Sequence, residues 1–292
     1  MRMPARFSLL SHHRLGYNPT RKGQVVREAL KYVSLAARLL VIGAAAILGG
    51  ELLGARDLRA EAEPMILTLG DLSYVAWSEV ELRTGAIVRR ELGETPLSVF
   101  SVVVLSNVSY ESLPEAARDG LSDYVSRGGS LLFTGGKQSY GSGGYAGTAL
   151  GDLLPLKPSR DDWLPHPFGP TLIFQPDHTI LRDVVIPTMA FFNELDLNSG
   201  AVEIAQYRKA SKAAFTGGGD PGGGDIAGGG RRPMPLIAER SIGPGTILAI
   251  ALDMTLTGEW KDRDRFMQNC VEYLLQRSKV EPLGPPKGSV TK

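Results

Sequence analysis

Apolar positions in the centre of the chain follow the order strand, helix, strand. Residues 98–105 (SVFSVVVL) form an uninterrupted apolar and β-branched run, as in a parallel strand that is covered on both faces. Leu113, Leu121 and Val125 then fall on one face of a helix. Residues 130–134 (SLLFT) make the next strand. The short connections between these elements predict a right-handed βαβ unit in a parallel sheet.

The same reasoning extends the pattern over most of the chain. Strands are predicted at 65–69, 86–90, 171–174, 201–205, 235–239 and 246–252, and helices at 74–83 and 260–279. Gly243-Pro244-Gly245 separates the last two strands as a hairpin-like turn. The predicted fold class is therefore α/β and flavodoxin-like, with a mainly parallel sheet and helices on both faces.

A separate apolar run, residues 39–50 (LLVIGAAAILGG), precedes this body. The run is too short for a membrane span, which needs about 20 apolar residues, but residues from about 33 to 54 reach that length if Arg38 snorkels. Eight of the 32 Lys and Arg lie within residues 1–38, and the positive-inside rule keeps such a flank in the cytoplasm. We therefore expect a single-pass protein of the cell membrane with a cytoplasmic N-terminus.

Two alternatives remain for this run. It can be the apolar region of a signal peptide with a cleavage site at residues 60–62 (Ala-Glu-Ala), in which case the protein is exported. It can also be a buried helix of a cytoplasmic protein. The chain is accordingly divided into a basic N-terminal segment, 1–62, a folded domain, 63–279, and a flexible tail, 280–292.

Within the folded domain, residues 217–230 form a segment of unusual composition. Nine of these fourteen residues are glycine, and no apolar periodicity runs through them. Such a segment lacks the apolar side chains needed to form a packed element. We therefore interpret it as a surface insert and not as a phosphate-binding loop.

Charge and cysteine content narrow the range of partners. One of the 31 Asp and Glu lies within residues 1–38, which leaves the remainder of the chain with a formal net charge of −6. A negative domain has no general attraction for a phosphate backbone, so nucleic acid is not an expected partner. Cys270 is the single cysteine, which excludes an intrachain disulfide and a zinc site built from cysteines.

A glycine-rich loop, residues 135–148 (GGKQSYGSGGYAGT), directly follows the predicted strand 130–134. Open α/β sheets bind ligands at the carboxyl ends of their strands, and a parallel strand at 246–252 would end at Asp253 on the same edge. A crevice there would suit a small polar ligand. The residues expected to contact it are Gly135, Gly136, Lys137, Ser139, Tyr145, Asp253 and Trp260. The alternative is that the tyrosines of the loop only pin it onto the domain.

Several stretches resemble the class I glutamine amidotransferase-like domains of bacterial membrane-associated proteins. They are residues 102–108 (VVVLSNV), 124–129 (YVSRGG), 135–148 and 153–156 (LLPL), together with the closing stretch from 235 to 253 and the helix after it. The resemblance covers about residues 64–277. It implies a flavodoxin-like sheet of the class I amidotransferase type.

The resemblance also implies a chemistry for which this chain lacks the residues. Class I amidotransferases attack glutamine with a Cys on a tight strand-to-helix turn, assisted by a His and a Glu from a later strand end. Here Gly135-Gly136-Lys137 occupies that turn, and the later strand ends in Asp253 without a His. Cys270 does not substitute, because its helical spacing places it among core residues. The leading hypothesis is a non-catalytic binding or assembly module of the cell envelope, with envelope proteins or a small polar ligand as partners.

Rival functions rest on a few polar side chains. Ser139, with Lys137 as its base, is a candidate nucleophile for an atypical hydrolase or amidotransferase. The chain can also be a soluble protein that binds a small molecule. His166 and His178 lie near several aspartates, but exposed polar loop residues are a commoner explanation of such a pattern than a metal site, so neither a metal nor a cofactor is expected.

Overall fold

A computed structural model describes residues 63–158, 163–208 and 234–280. Three predicted features lie outside these residues: the apolar helix at about 33–54, the glycine-rich insert 217–230, and the tail after residue 280. Within the described ranges, no helix combines the length and the apolar character that crossing a membrane requires.

The described residues form twelve strands and four α-helices, with strands and helices alternating only in the first half of the domain. The strands are β1 (Met65–Gly70), β2 (Ile87–Arg89), β3 (Val102–Ser106), β4 (Ser130–Gly135), β5 (Leu156–Lys157), β6 (Trp163–Gly169), β7 (Thr171–Ile173), β8 (Met189–Asn193), β9 (Asp196–Leu197), β10 (Val202–Tyr207), β11 (Met234–Ile242) and β12 (Gly245–Asp253). The helices are α1 (Trp77–Thr84), α2 (Glu115–Ser126), α3 (Ala149–Leu153) and α4 (Arg263–Arg277).

The main sheet is mixed, with the strand order β2-β1-β3-β4-β12-β11-β10-β7. The pairs from β2 to β12 in this order are parallel. The pairs from β12 through β11 and β10 to β7 are antiparallel. The α/β class predicted from the sequence is therefore confirmed, with an antiparallel extension beyond β12. The order β2-β1-β3-β4 is the one expected of a flavodoxin-like sheet.

The central strands are buried along their whole length because both of their faces are covered. Every residue of β3, β4 and β12 is buried. Strands of this kind read as continuous runs of Val, Ile and Leu instead of alternating polar and apolar positions. The predicted hairpin is also present, since Ile242 of β11 pairs with Gly245 of β12 and Gly243 in the turn has a φ of +56°.

A second ladder lies beside β12 and was not expected from the sequence. Phe192 of β8 pairs with Leu252 of β12, and β6 pairs antiparallel with β8. Pro165 has no backbone N–H to donate to a ladder, as is usual in edge strands, and the structure shows β6 paired with β8. This β6–β8 pair positions several residues of the site described below.

The helices divide into two groups. The connections β1-α1-β2 and β3-α2-β4 run toward opposite edges of the sheet, and right-handed crossovers then place α1 and α2 on opposite faces. Helix α4 lies with α1, because Gln268 Nε2 donates a hydrogen bond of 3.0 Å to Glu79 Oε2. The predicted inner face of the last helix is confirmed: Phe266, Met267, Cys270, Val271 and Leu274 are fully buried, and Leu275 is partly buried.

The start of β12 provides a test of this packing. A Cβ added to Gly245 would lie 1.9 Å from the carbonyl oxygen of Val125 at the end of α2, whereas one added to Gly258 would meet no atom within 4 Å. We expect Gly245→Ala to lower the free energy of unfolding by about 1–3 kcal/mol through overpacking. Gly258→Ala should stay within about 0.5 kcal/mol of the parent. Urea denaturation of both variants checks this, and equal stabilities would contradict the close approach of α2 and β12.

Candidate functional site

The carboxyl ends of the central strands bring two distant parts of the sequence together. Gly135 at the end of β4 and Asp253 at the end of β12 are register partners in the parallel ladder. The glycine-rich loop and the segment after Asp253 therefore start side by side, at the edge where open α/β sheets bind ligands. We refer to Gly135, Gly136, Lys137 and Asp253, with Trp163 and Asn193 from the β6–β8 pair, as the carboxyl-edge site.

The first residues of the loop are held by two asparagine side chains. Asn193 Oδ1 accepts a hydrogen bond of 2.9 Å from Gly136 N, and its Nδ2 donates one of 3.1 Å to Gly136 O. Asn107 Oδ1 accepts a hydrogen bond of 3.0 Å from Gln138 N. Asn107 itself has a φ of +43°, a conformation that asparagine tolerates better than most residues. The turn after β4 is thus fixed from both sides.

Neither glycine of this turn has room for a side chain. A Cβ on Gly135 would lie 2.1 Å from the carbonyl oxygen of Ala251, and one on Gly136 would lie 2.3 Å from Asn107 Oδ1. Gly136 also has a φ of +145°, a backbone conformation that residues other than glycine rarely adopt. The turn therefore requires glycine at both positions.

Asp253 is a buried carboxylate whose oxygens are already hydrogen-bonded. Oδ1 accepts from the backbone N and the Oγ1 of Thr255, at 3.1 and 2.6 Å, which caps the 3₁₀ turn Met254–Leu256. Oδ2 accepts a hydrogen bond of 3.0 Å from Trp163 Nε1. The carboxylate thus orients the indole of Trp163 at the sheet edge.

Lys137 is the exposed cation of this group. Its Nζ lies 4.7 Å from the centroid of the Trp163 ring, a distance at which a cation is attracted to the face of an indole. Trp163 therefore connects Lys137 to Asp253, and these two predicted residues are brought to the same place. Trp163 was not predicted as a site residue.

Ser139 and Tyr145 do not face a crevice. Ser139 is 1% exposed, and its Oγ makes no hydrogen bond within the described residues. Tyr145 is fully buried; its hydroxyl donates to Val108 O at 2.9 Å and its ring packs edge-on against Phe133. Tyr140 is equally buried and donates to Ile250 O at 3.1 Å. For both tyrosines, the structure favours the interpretation that they pin the loop.

Trp260 lies apart from the loop and beside a cleft. Its Nε1 donates a hydrogen bond of 2.8 Å to Val185 O, and its ring packs at 5.0 Å on Phe266 of α4. The cleft has a volume of about 460 Å³ and is bounded by residues 187–191 and 256–260. We call it the aromatic cleft. Phe191 in its wall stacks on Trp163, with ring centroids 6.1 Å apart, so the cleft adjoins the carboxyl-edge site.

The remaining candidate groups lie elsewhere. Cys270 is fully buried in α4, and burial raises the pKa of its thiol well above the usual range, which keeps it protonated and unreactive. His166 stacks on Phe192 at 4.0 Å. His178 Nδ1 accepts from Ile180 N at 3.3 Å, and its Nε2 lies 3.6 Å from Glu239 Oε2. No cluster of potential metal ligands occurs in the part of the chain that the structure describes.

A hydroxyl network beneath the loops was missed by sequence reasoning. Thr134 Oγ1 donates to Ser106 Oγ at 2.8 Å, and the hydroxyl of Tyr74 lies 2.7 Å from the same Ser106 oxygen. Burial raises the pKa of Tyr74 to about 12, so its hydroxyl stays protonated near neutral pH. Thr134 ends one predicted strand and Ser106 directly follows another, which was the available signal, but Tyr74 reaches them only through folding.

Comparison with solved structures shows the fold alone. Two cytoplasmic proteins of Salmonella typhimurium align with TM-scores of 0.53 and 0.54, at 14% and 16% identity, over 72% of this chain and 98% and 99% of theirs. A ThuA-like protein from Bacteroides uniformis has a TM-score of 0.48 and 11% identity, over 79% of this chain and 97% of its own. No protein-family model and no curated protein sequence matches the chain. The two Salmonella proteins share the mixed α/β fold, which fits a flavodoxin-like sheet.

Asn193 allows a test of how the loop is held. Asn193→Ala leaves both backbone groups of Gly136 without their partner in a buried site, which should lower the free energy of unfolding by about 1–3 kcal/mol. Amide hydrogen exchange at Gly136 should become faster, while Gln138→Ala, which removes an exposed side chain from the same loop, should change neither quantity. Unchanged exchange in Asn193→Ala would mean that the loop is held by other contacts.

Proposed function

We propose that this domain is a non-catalytic, amidotransferase-like module that binds a ligand or partner at the carboxyl edge of its sheet. The observation that carries the proposal is the steric closure of the turn after β4. In class I amidotransferases this turn holds the nucleophile, whereas here a side chain at Gly135 or Gly136 would collide with Ala251 O or Asn107 Oδ1. A nucleophile at either position would require a different backbone.

The groups that remain at this edge suit binding better than catalysis. Among the described residues Lys137 forms no ion pair with an acid, and the Asp253 carboxylate at the same edge is already engaged by Thr255 and Trp163. The thiol of Cys270 lies on the buried face of α4. Its raised pKa keeps it protonated, whereas attack requires the thiolate. An exposed cation beside aromatic rings can still select a ligand.

The enzyme alternative depends on Ser139. Its Oγ is buried and lacks a base: no histidine of the described residues contacts it, and the Lys137 ammonium lies over Trp163. A hydroxyl nucleophile needs a positioned base and access to substrate. Catalysis by Ser139 would therefore need the loop to open first.

An assay for glutamine hydrolysis tests the non-catalytic assignment. The purified protein should release no ammonia from glutamine above the rate of buffer, and Ser139→Ala should behave identically. Hydroxyl-directed fluorophosphonate probes should leave Ser139 unlabelled in the native protein, because its Oγ is inaccessible. Ammonia release that disappears in Ser139→Ala would overturn the assignment in favour of an atypical hydrolase.

We place this module at the bacterial cell envelope on the basis of the sequence. The apolar run at 39–50 with its basic flank supports an anchor or an export signal, and partners would then be envelope proteins or a small polar ligand. The solved neighbours leave membrane association open, since their likeness concerns the fold.

Cell fractionation tests the location. The full-length protein should sediment with membranes and resist carbonate extraction, and Ile42→Asp combined with Leu48→Asp should release it, because two carboxylates interrupt the apolar run. A matched double change to alanine should keep it in the membrane fraction. Recovery of the unmodified protein without detergent, with residues 1–62 still attached, would argue against both anchor and cleaved signal.

A further inference from the structure

The aromatic cleft has the size and position of a small-molecule site. Its volume of about 460 Å³ lies within the range of about 300–1,000 Å³ that ligand pockets occupy. Two chain segments form its walls: residues 187–191, which lead into β8, and residues 256–260, which follow the turn after β12. The cleft therefore lies beyond the carboxyl end of β12, next to the carboxyl-edge site.

One face of the β6–β8 pair links the cleft to Lys137. Phe191 and Asn193 are two residues apart in β8, and Trp163 is the register partner of Asn193, so alternation places all three on one face. Asn193 holds Gly136, Trp163 lies beneath Lys137, and Phe191 lines the cleft. The near-parallel rings of Trp163 and Phe191, inclined by 19°, make a continuous aromatic wall from the cation to the cleft.

The charges at the two ends of this wall differ. At one end stands the exposed ammonium of Lys137, and the part of the chain that the structure describes forms no ion pair with it. At the other end Glu259, also exposed, lines the cleft. A ligand anion is attracted toward Lys137 and repelled from Glu259, so the charge pattern favours one orientation.

We propose that the aromatic cleft binds a small ligand with a flat apolar part and an anionic group, the flat part against Phe191 and the anion on Lys137. This inference rests on the proposed binding function and specifies the chemical class of its ligand. The flat part gains from stacking on an aromatic wall, and the anion gains an ion pair with a cation that has no other acidic partner among the described residues. Asp253 contributes by holding Trp163 in place through its indole N–H.

A pair of fluorescent probes tests this proposal in the full-length protein. 8-Anilinonaphthalene-1-sulfonate is a flat apolar anion, and N-phenyl-1-naphthylamine is a closely similar neutral molecule. We expect one saturable site per chain for the anionic probe. Lys137→Gln should weaken its binding by about fivefold, as expected for the loss of one exposed ion pair, and should leave binding of the neutral probe unchanged.

Three further variants sharpen the result. Glu259→Gln should leave the affinity for the anionic probe equal or higher, and Lys157→Gln, an exposed lysine on β5, should leave it unchanged. Phe191→Ala should weaken both probes, with thermal unfolding used to confirm that the variant is folded.

The charge variants test the proposed ligand site even if Phe191→Ala does not fold. Equal affinity of the anionic probe for the parent and Lys137→Gln, or a similar loss in Lys157→Gln, would overturn the proposal. Failure of the probe experiment would not affect the expected absence of glutamine hydrolysis. Conversely, ammonia release would overturn the non-catalytic assignment but would not change the binding of the probes, so the two proposals are tested separately.

Discussion

The parallel pairing of β4 with β12 is the contact on which the rest of the structure depends. It joins the parallel strands to the antiparallel extension, and it places Gly135 beside Asp253 although more than a hundred residues separate them. Both strands are buried at every position, so this pairing lies in the middle of the core. Because backbone groups in such a place need partners, the register is strongly specified, and the two loops that follow must share one edge.

The same close approach explains why the turn after β4 cannot serve as a nucleophile turn. Strand β12 brings the Ala251 carbonyl against Gly135, and Asn107 fills the space beside Gly136. Asparagine side chains then hold the backbone where an amidotransferase would present a reactive group. Rigidity at this point favours a fixed binding surface, and the buried tyrosines of the loop add to that rigidity through their hydrogen bonds to Val108 and Ile250.

The usual ligand crevice of a flavodoxin-like sheet lies where the strand order reverses, here between β1 and β3. In this protein, backbone and side-chain groups of the chain itself occupy that place. Asp71 N donates to Ser106 O at 2.8 Å across the two strand ends, and the side chain of Tyr74 reaches Ser106 below them. Open space at the carboxyl edge is found instead beside the β6–β8 pair, where Phe191 and Trp260 line the aromatic cleft. The available surface therefore lies away from the customary position.

Sequence alone determined the α/β class, the central strands, the inner face of α4 and the placement of the glycine-rich loop and Asp253 at one edge of the sheet. Each of these follows from local periodicity or from the shared direction of parallel strands. Only the tertiary structure decided the pairing of β6 with β8, the roles of Trp163 and Asn193, and the burial of Ser139 and Tyr145. The physical reason is that these features depend on contacts between segments that are distant in the sequence. A side chain's partner across a sheet depends on the register between such segments, and the buried face of a polar loop is defined only when the core beneath it has formed.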